Sequence, residues 1–448
     1  MTRRLAWTGI AVLTAMAAAS IATNGKPAAL GTTPVPIPPG YGFPTPNATI
    51  EQWIATSDTG AMRGHAWELW AGMTAPSGQG TLPVWDTWGG KADLKGPPPS
   101  AVALTAIPRA AAGHAFETPI QFTHRARRLH LKAMLGTSVT AAQTPIEAER
   151  FDPTDVAFVR SPHPGPDGKT YFYNSATSLN ALNSAWPTNT PVQNRAIVDF
   201  PNTAIETKPV YNLVKATGLT PLPVWQGGAG ATNQTNPTED TWTNCLLIDP
   251  KGAGAVQPAT PAQIKSVPAA RLTGLACKTF FYGPLSLIYA QKLSAGDAAR
   301  FGHGAAAGDF AVLVAMHVNT KETTLWTWQT FYWEPLPDPA GQNPGSKDNQ
   351  PTSLPAPWKT YSMCANYDQT TTSGGTTMDV CYNPYLETSP GIPAGVTSNC
   401  MSCHGVATVN SFGGYPTQYT KPVIYFTDPS YYNATTTRTD FSWTVADF

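Results

Sequence analysis

Apolar residues recur at three-to-four spacing from Ile50, Trp53 and Ile54 through Met62, Trp67, Leu69, Trp70 and Met73, which predicts a helical stretch with one buried face. His65 falls inside it, among aromatics, where a hydrogen-bonded core residue is a commoner role than a ligand. Leu82-Pro83-Val84-Trp85 reads as a short strand, and residues 89–113 as a loop rich in Gly, Pro and Ala. The same tetrapeptide returns at Leu222-Pro223-Val224-Trp225 after a stretch read as helical from Val210, Leu213 and Val214. Two copies are too few for a solenoid. Residues 284–301 carry Leu285, Ile288 and Leu293 at helical spacing, with Ser294 placed to cap a second short helix. The clearest strand follows. Phe310 to Val318 is apolar almost throughout, so it belongs in mid-sheet, and after a polar turn (Asn319–Thr324) Trp326, Trp328 and Tyr332 mark an aromatic return strand.

Pro 44 and Gly 38 are high, and uninterrupted helical periods are few, which implies strands joined by long connections. Residues 33–47, with PVPIPPG and FPTP, read as a stiff extended tether. Charged residues make up 12% of the chain and formal net charge is zero, so neither nucleic acid nor an acidic membrane surface is an expected partner. The basic run His124–Lys132 fits either a solvated face or a dock for an acidic redox partner.

At the start, Thr2-Arg3-Arg4 precedes an apolar stretch from Leu5 to Ala19 and the small-x-small pattern Ser20-Ile21-Ala22. This is the pattern of a secretory signal over residues 1–22, too short to span a bilayer comfortably. The expected location is periplasmic or secreted, with no membrane span in the mature form.

Near the other end lies Asn399-Cys400-Met401-Ser402-Cys403-His404. Two cysteines three apart with a histidine directly after form the attachment signature of a c-type haem. Each thiol adds across one vinyl group, and the histidine is then held beneath the iron as its proximal ligand. A disulfide, half a zinc site and a redox dithiol are the alternatives. A zinc site would want a second Cys/His pair at similar spacing, and a dithiol usually sits in a thioredoxin-like strand–helix alternation. One covalent haem c is therefore the expected cofactor, with Cys400 and Cys403 as anchors and His404 as metal ligand. The other four cysteines, Cys245, Cys277, Cys364 and Cys381, are an even number for an oxidising compartment. Order along the chain favours Cys245–Cys277 and Cys364–Cys381 among three pairings, with buried thiols as the alternative.

A haem motif far towards the C-terminus of an aromatic, β-rich body resembles the cytochrome P-460 family, whose members oxidise hydroxylamine, with its relative cytochrome c′-β, which binds gases. Tyr171-Phe172-Tyr173-Asn174-Ser175-Ala176-Thr177 is similar to that family's strand-then-Asn segment. Phe200-Pro201 with Ile205 and Lys208 resembles its Phe-Pro…Lys strand, Leu313–Met316 with Trp328 its last core hairpin, and Asp440-Phe441 its closing residues. Larger bacterial periplasmic haem c proteins carrying this hairpin and closing motif are a nearer likeness. The resemblance covers roughly residues 165–448. It implies a proximal histidine, an opposite iron face left open or capped by a non-ligand, and a strand lysine, here Lys208, able to bond the macrocycle. A lysine at a strand end is otherwise usually solvated.

His317 interrupts an apolar strand and needs a partner, whether haem iron, a propionate or a buried carbonyl, and is the candidate second metal ligand. Met316, Met363 and Met378 compete as sulfur ligands, although methionine more often packs.

The expected fold class is α+β: an antiparallel haem domain with peripheral helices and long Pro/Gly-rich loops. Residues 1–22 are assigned to the signal peptide, 23–47 to the tether, 48–164 to a mixed α/β portion and 165–448 to a cytochrome P-460-like haem c domain. The expected function is electron transfer to or from a periplasmic redox partner. The alternative is a haem c oxidoreductase or gas-binding protein acting on a small-molecule ligand such as hydroxylamine or nitric oxide. A third reading makes the haem a structural staple of a binding protein whose residues 48–164 meet a partner.

Overall fold

The apolar run forms β11 (Phe310–Thr320), and its burial on both faces is explained by what flanks it. β5 (Ile205–Val214) pairs along one edge, with a register shift between Leu313 and Ala315. β12 (Thr327–Trp333) takes the other edge beside Ala315–Thr320, and β10 (Ala290–Lys292) takes it beside Phe310–Val312. β13 (Tyr361–Asn366) extends the sheet beyond β12. On the outer edge of β5 lie β1 (Ile146–Glu147) and β2 (Arg150–Phe151), so segments on both sides of residue 164 build one seven-stranded antiparallel sheet. The structure is a computed structural model that describes residues 32–97, 116–117, 145–225, 238–336, 346–372, 375–389, 395–409, 436–446 and 448. The signal segment at 1–22 and the basic run at 124–132 lie outside the described residues.

Side chains directly opposite one another in a ladder share a face. Met316, Phe331 and Met363 form one such row, and Trp67 and Trp70 pack over it with ring centroids 5.5 and 4.2 Å from Phe331. These tryptophans come from α2 (Thr59–Thr74), which follows α1 (Asn47–Ala55). The single helical stretch expected from 50 to 73 is thus two helices. The break falls where Ser57 takes φ +53° and the Asp58 carboxylate caps Ala61 N at 2.9 Å. His65 is a satisfied core histidine, with Nδ1 2.5 Å from the Tyr367 hydroxyl and Nε2 3.2 Å from Glu322.

Further local readings change. Val210, Leu213 and Val214 lie on β5, a strand covered on both faces, where two-sided burial imitates a helical spacing. Val84–Thr87 is a 3₁₀ turn rather than a strand, and an isolated bridge between Pro76 and Pro83 precedes it. Residues 284–301 divide into a 3₁₀ turn, β10 and a helix, Ala295–Phe301, which Ser294 caps as expected by accepting from Asp297 N.

A second sheet has β6 (Thr220–Val224), β7 (Asn244–Asp249), β9 (Thr279–Pro284) and β8 (Gln257–Pro258), in that order. Both disulfides form in the pairing favoured by chain order: Cys245–Cys277 anchors β7, and Cys364–Cys381 anchors β13. The fold is therefore α+β with antiparallel-rich sheets. Among the described residues no helix is long and apolar enough to cross a membrane.

Candidate functional site

Lys208, His317, Thr330 and Cys364 form a cross-strand row on the sheet face opposite α2. Over that face lie the helix Pro384–Glu387, the helix Cys400–His404 and the closing turn before the helix Trp443–Ala446. The helix that carries the sequence motif is short and depends on its cap. Asn399 Oδ1 accepts from Ser402 N at 2.7 Å, while its amide nitrogen donates to the carbonyls of Gln369 and Asp379, each at 3.2 Å. One helical turn then sets Cys400 and Cys403 on a common side, with His404 one turn beyond Cys400. Neither cysteine is in a disulfide. Burial pushes the Cys400 thiol well above its usual range, and the Glu387 carboxylate adds to the effect.

The apolar surroundings of this helix come from distant segments. Tyr171, Tyr173, Phe200, Trp326, Trp328, Met401 and Phe441 belong to one buried cluster, separate from the core beneath α2. The Trp328 ring lies 4.6 Å from the His404 ring. His404 Nδ1 is 3.0 Å from the Phe441 carbonyl oxygen. A carbonyl only accepts, so Nδ1 carries the hydrogen and Nε2 is the bare nitrogen. Burial drives the imidazole down to about 3, so the ring is neutral at ordinary pH.

The Phe441 carbonyl is held by a strained turn. Asp440 and Phe441 take φ of +49° and +69°, which costs about 1–3 kcal/mol for each such residue. Three contacts fix it. Lys321 Nζ reaches Asp440 at 2.7 Å, Phe200 N donates to Asp440 at 3.0 Å, and the Ser442 hydroxyl donates to Glu206 at 2.6 Å.

His317 Nε2 meets Glu387 Oε1 at 3.0 Å, and its Nδ1 is buried without a hydrogen-bond partner among the described residues. Glu387 also accepts from Asn383 N at 2.5 Å, and Asn383 donates its amide to Thr330 at 2.7 Å. Gly395 passes so close to Glu387 that a Cβ there would collide with its carbonyl oxygen. Lys208 is half-buried and ion-paired. It pairs with Glu147 at 2.9 Å and lies 3.9 Å from Glu149. Burial raises Glu147 to about 7 despite that lysine, and Glu206 to about 8. Met316 and Met363 belong to the opposite face and pack in the core. Thus Cys400, Cys403, His404, Lys208 and His317 gather on one side of the sheet, and those two methionines do not join them.

Sequence reasoning missed Glu387, Glu147 and the Phe441 carbonyl. The Asn383-Pro384 start of a helix was a readable signal for the segment bearing Glu387, but not for its partner. Among the described residues no group of three or more His, Cys, Asp or Glu side chains converges on a metal-sized point. The chain matches no protein-family model, no curated protein and no solved structure.

Proposed function

We propose that the chain is an exported, periplasmic or secreted mono-haem c-type cytochrome that transfers electrons, resembling the cytochrome P-460 family. Cys400 and Cys403 would hold one haem through thioethers, and His404 Nε2 would bind its iron. The observation that carries the reading is the His404 ring: neutral, with Nδ1–H fixed on a backbone carbonyl and Nε2 left as the donor, one turn from two cysteines outside both disulfides. The donor set fits an iron porphyrin, which needs one imidazole nitrogen from the chain rather than a cluster of ligands. The bound haem supplies one-electron chemistry. The chain fixes the ligand tautomer and excludes water with Trp328, Met401 and Phe441. Two disulfides suit an oxidising compartment.

Mass measurement of protein exported from a host able to attach haem c tests this. The expected result is the mass of one added haem, lost in the Cys400→Ala/Cys403→Ala variant. An unmodified mass overturns it.

A second reading rests on the His317–Glu387 and Lys208–Glu147 contacts on the same sheet face. Side chains able to hold and release protons beside an iron suit chemistry on a small molecule such as hydroxylamine or nitric oxide. Carbon monoxide separates the two. Prompt binding by the reduced protein favours the open site, and an unreactive low-spin spectrum favours the carrier, with His317 as second ligand.

A further inference from the structure

Where β5 and β6 approach the end of the helix Pro384–Glu387, a cavity of about 340 Å³ opens. Its volume is that of a small-ligand pocket. Much of its wall is apolar, with Leu213, Leu222, Leu275, Phe301 and the Tyr385 ring. Its polar groups are unevenly occupied. Lys215 Nζ is engaged by Asp309 at 2.8 Å and the Gly304 carbonyl at 2.6 Å, and Arg271 Nη1 donates to the carbonyls of Thr217 and Leu219 at 3.0 and 2.8 Å. Glu239 is different. One of its oxygens accepts from Asn212 at 2.7 Å, and the other has no hydrogen bond among the described residues. Asp240 stands beside it with one oxygen held by the Thr238 hydroxyl at 2.5 Å. Burial, reinforced by Asp240, raises Glu239 to about 7, while burial lowers His303.

A half-satisfied carboxylate in a partly apolar recess is stabilised by a cation that brings its own donors. We propose that this cavity binds a small organic ammonium ion, its nitrogen on Glu239 and Asp240 and its apolar body against Phe301, Leu222 and the Tyr385 ring. The site is independent of the haem assignment, since none of its contacts involves Cys400, Cys403 or His404.

Calorimetric titration of the full chain with three matched probes, 2-phenylethylammonium, 3-phenylpropionate and 2-phenylethanol, tests it. At about pH 8, where Glu239 is ionised, the ammonium should bind saturably at one site, at least about tenfold more tightly than the alcohol, as one charge-assisted hydrogen bond allows. Glu239→Gln should remove that preference while leaving the alcohol unaffected. Lowering the pH to about 6 should weaken the ammonium in the unaltered protein, a result that does not depend on any variant folding. Tighter binding of the carboxylate, which would assign the cavity to Arg271, overturns the proposal. So does equal binding of the alcohol, or no saturable binding of any probe.

Discussion

Replacing Asp440 by Asn tests how the closing turn is held. The Lys321–Asp440 pair is 2.7 Å long, with side chains only 4% and 6% exposed. Asn preserves an oxygen for Phe200 N but strips Lys321 of its counter-ion, leaving the ammonium with the Thr324 carbonyl at 2.9 Å. An uncompensated buried charge of this kind costs about 3–5 kcal/mol, a large part of a total stability of roughly 5–15 kcal/mol. The pair itself is another matter. Burial outweighs the neighbouring ammonium and lifts Asp440 to about 6, so desolvation exceeds the attraction. Lys321→Met/Asp440→Asn should therefore recover most of what Asp440→Asn loses. Lys321→Met alone removes the ammonium that holds the Asp440 carboxyl down, so Asp440 should take up its proton above about pH 6 and the harm should shrink as pH falls. Urea unfolding of the four proteins at neutral and mildly acidic pH measures each of these. A single variant within about 1 kcal/mol of the parent, or a double variant as unstable as Asp440→Asn, would refute the reasoning.

Glu206 ionises near 4.5 when unfolded and near 8 when folded, so the folded state holds the proton more tightly and stability falls as pH rises between those values. Glu206→Gln should flatten that slope, which is at most about 1.4 kcal/mol per pH unit, in urea midpoints taken from pH 5 to 8. Removing Cys364–Cys381, whose partners are 17 residues apart, by Cys364→Ala/Cys381→Ala should cost about 3 kcal/mol; a change within experimental error would deny the crosslink a stabilising role. Trp70→Ala deletes a buried ring stacked on Phe331 and should cost about 3–5 kcal/mol, read as a lowered midpoint in the same assay.

The hairpin of β11 and β12 was legible because an apolar run followed by a polar turn and alternating aromatics satisfies few other arrangements. Ser294 declared its helix by the same local logic. β5 did not, since a strand buried on both faces carries no alternation and three of its apolar residues fall at 210, 213 and 214. At the candidate site, Cys400, Cys403 and His404 were visible because their chemistry is written in consecutive residues. Glu387 and Glu147 were not, because each matters through a partner 70 or 61 positions away, His317 or Lys208. Tyr171, Phe200, Trp328 and Phe441 were singled out separately. What no spacing disclosed is that they meet in a single cluster around Met401.

The helix Pro384–Glu387 is one turn long, yet Tyr385 borders the cavity beside β6 while Glu387 grips His317. A single turn is too stiff to tilt at one end and stay put at the other. Crowding from a bulky side chain at Thr388 or Leu222 would therefore be felt as a reoriented imidazole across the sheet, and spectra of such variants would register a change at a place the substitution never touched.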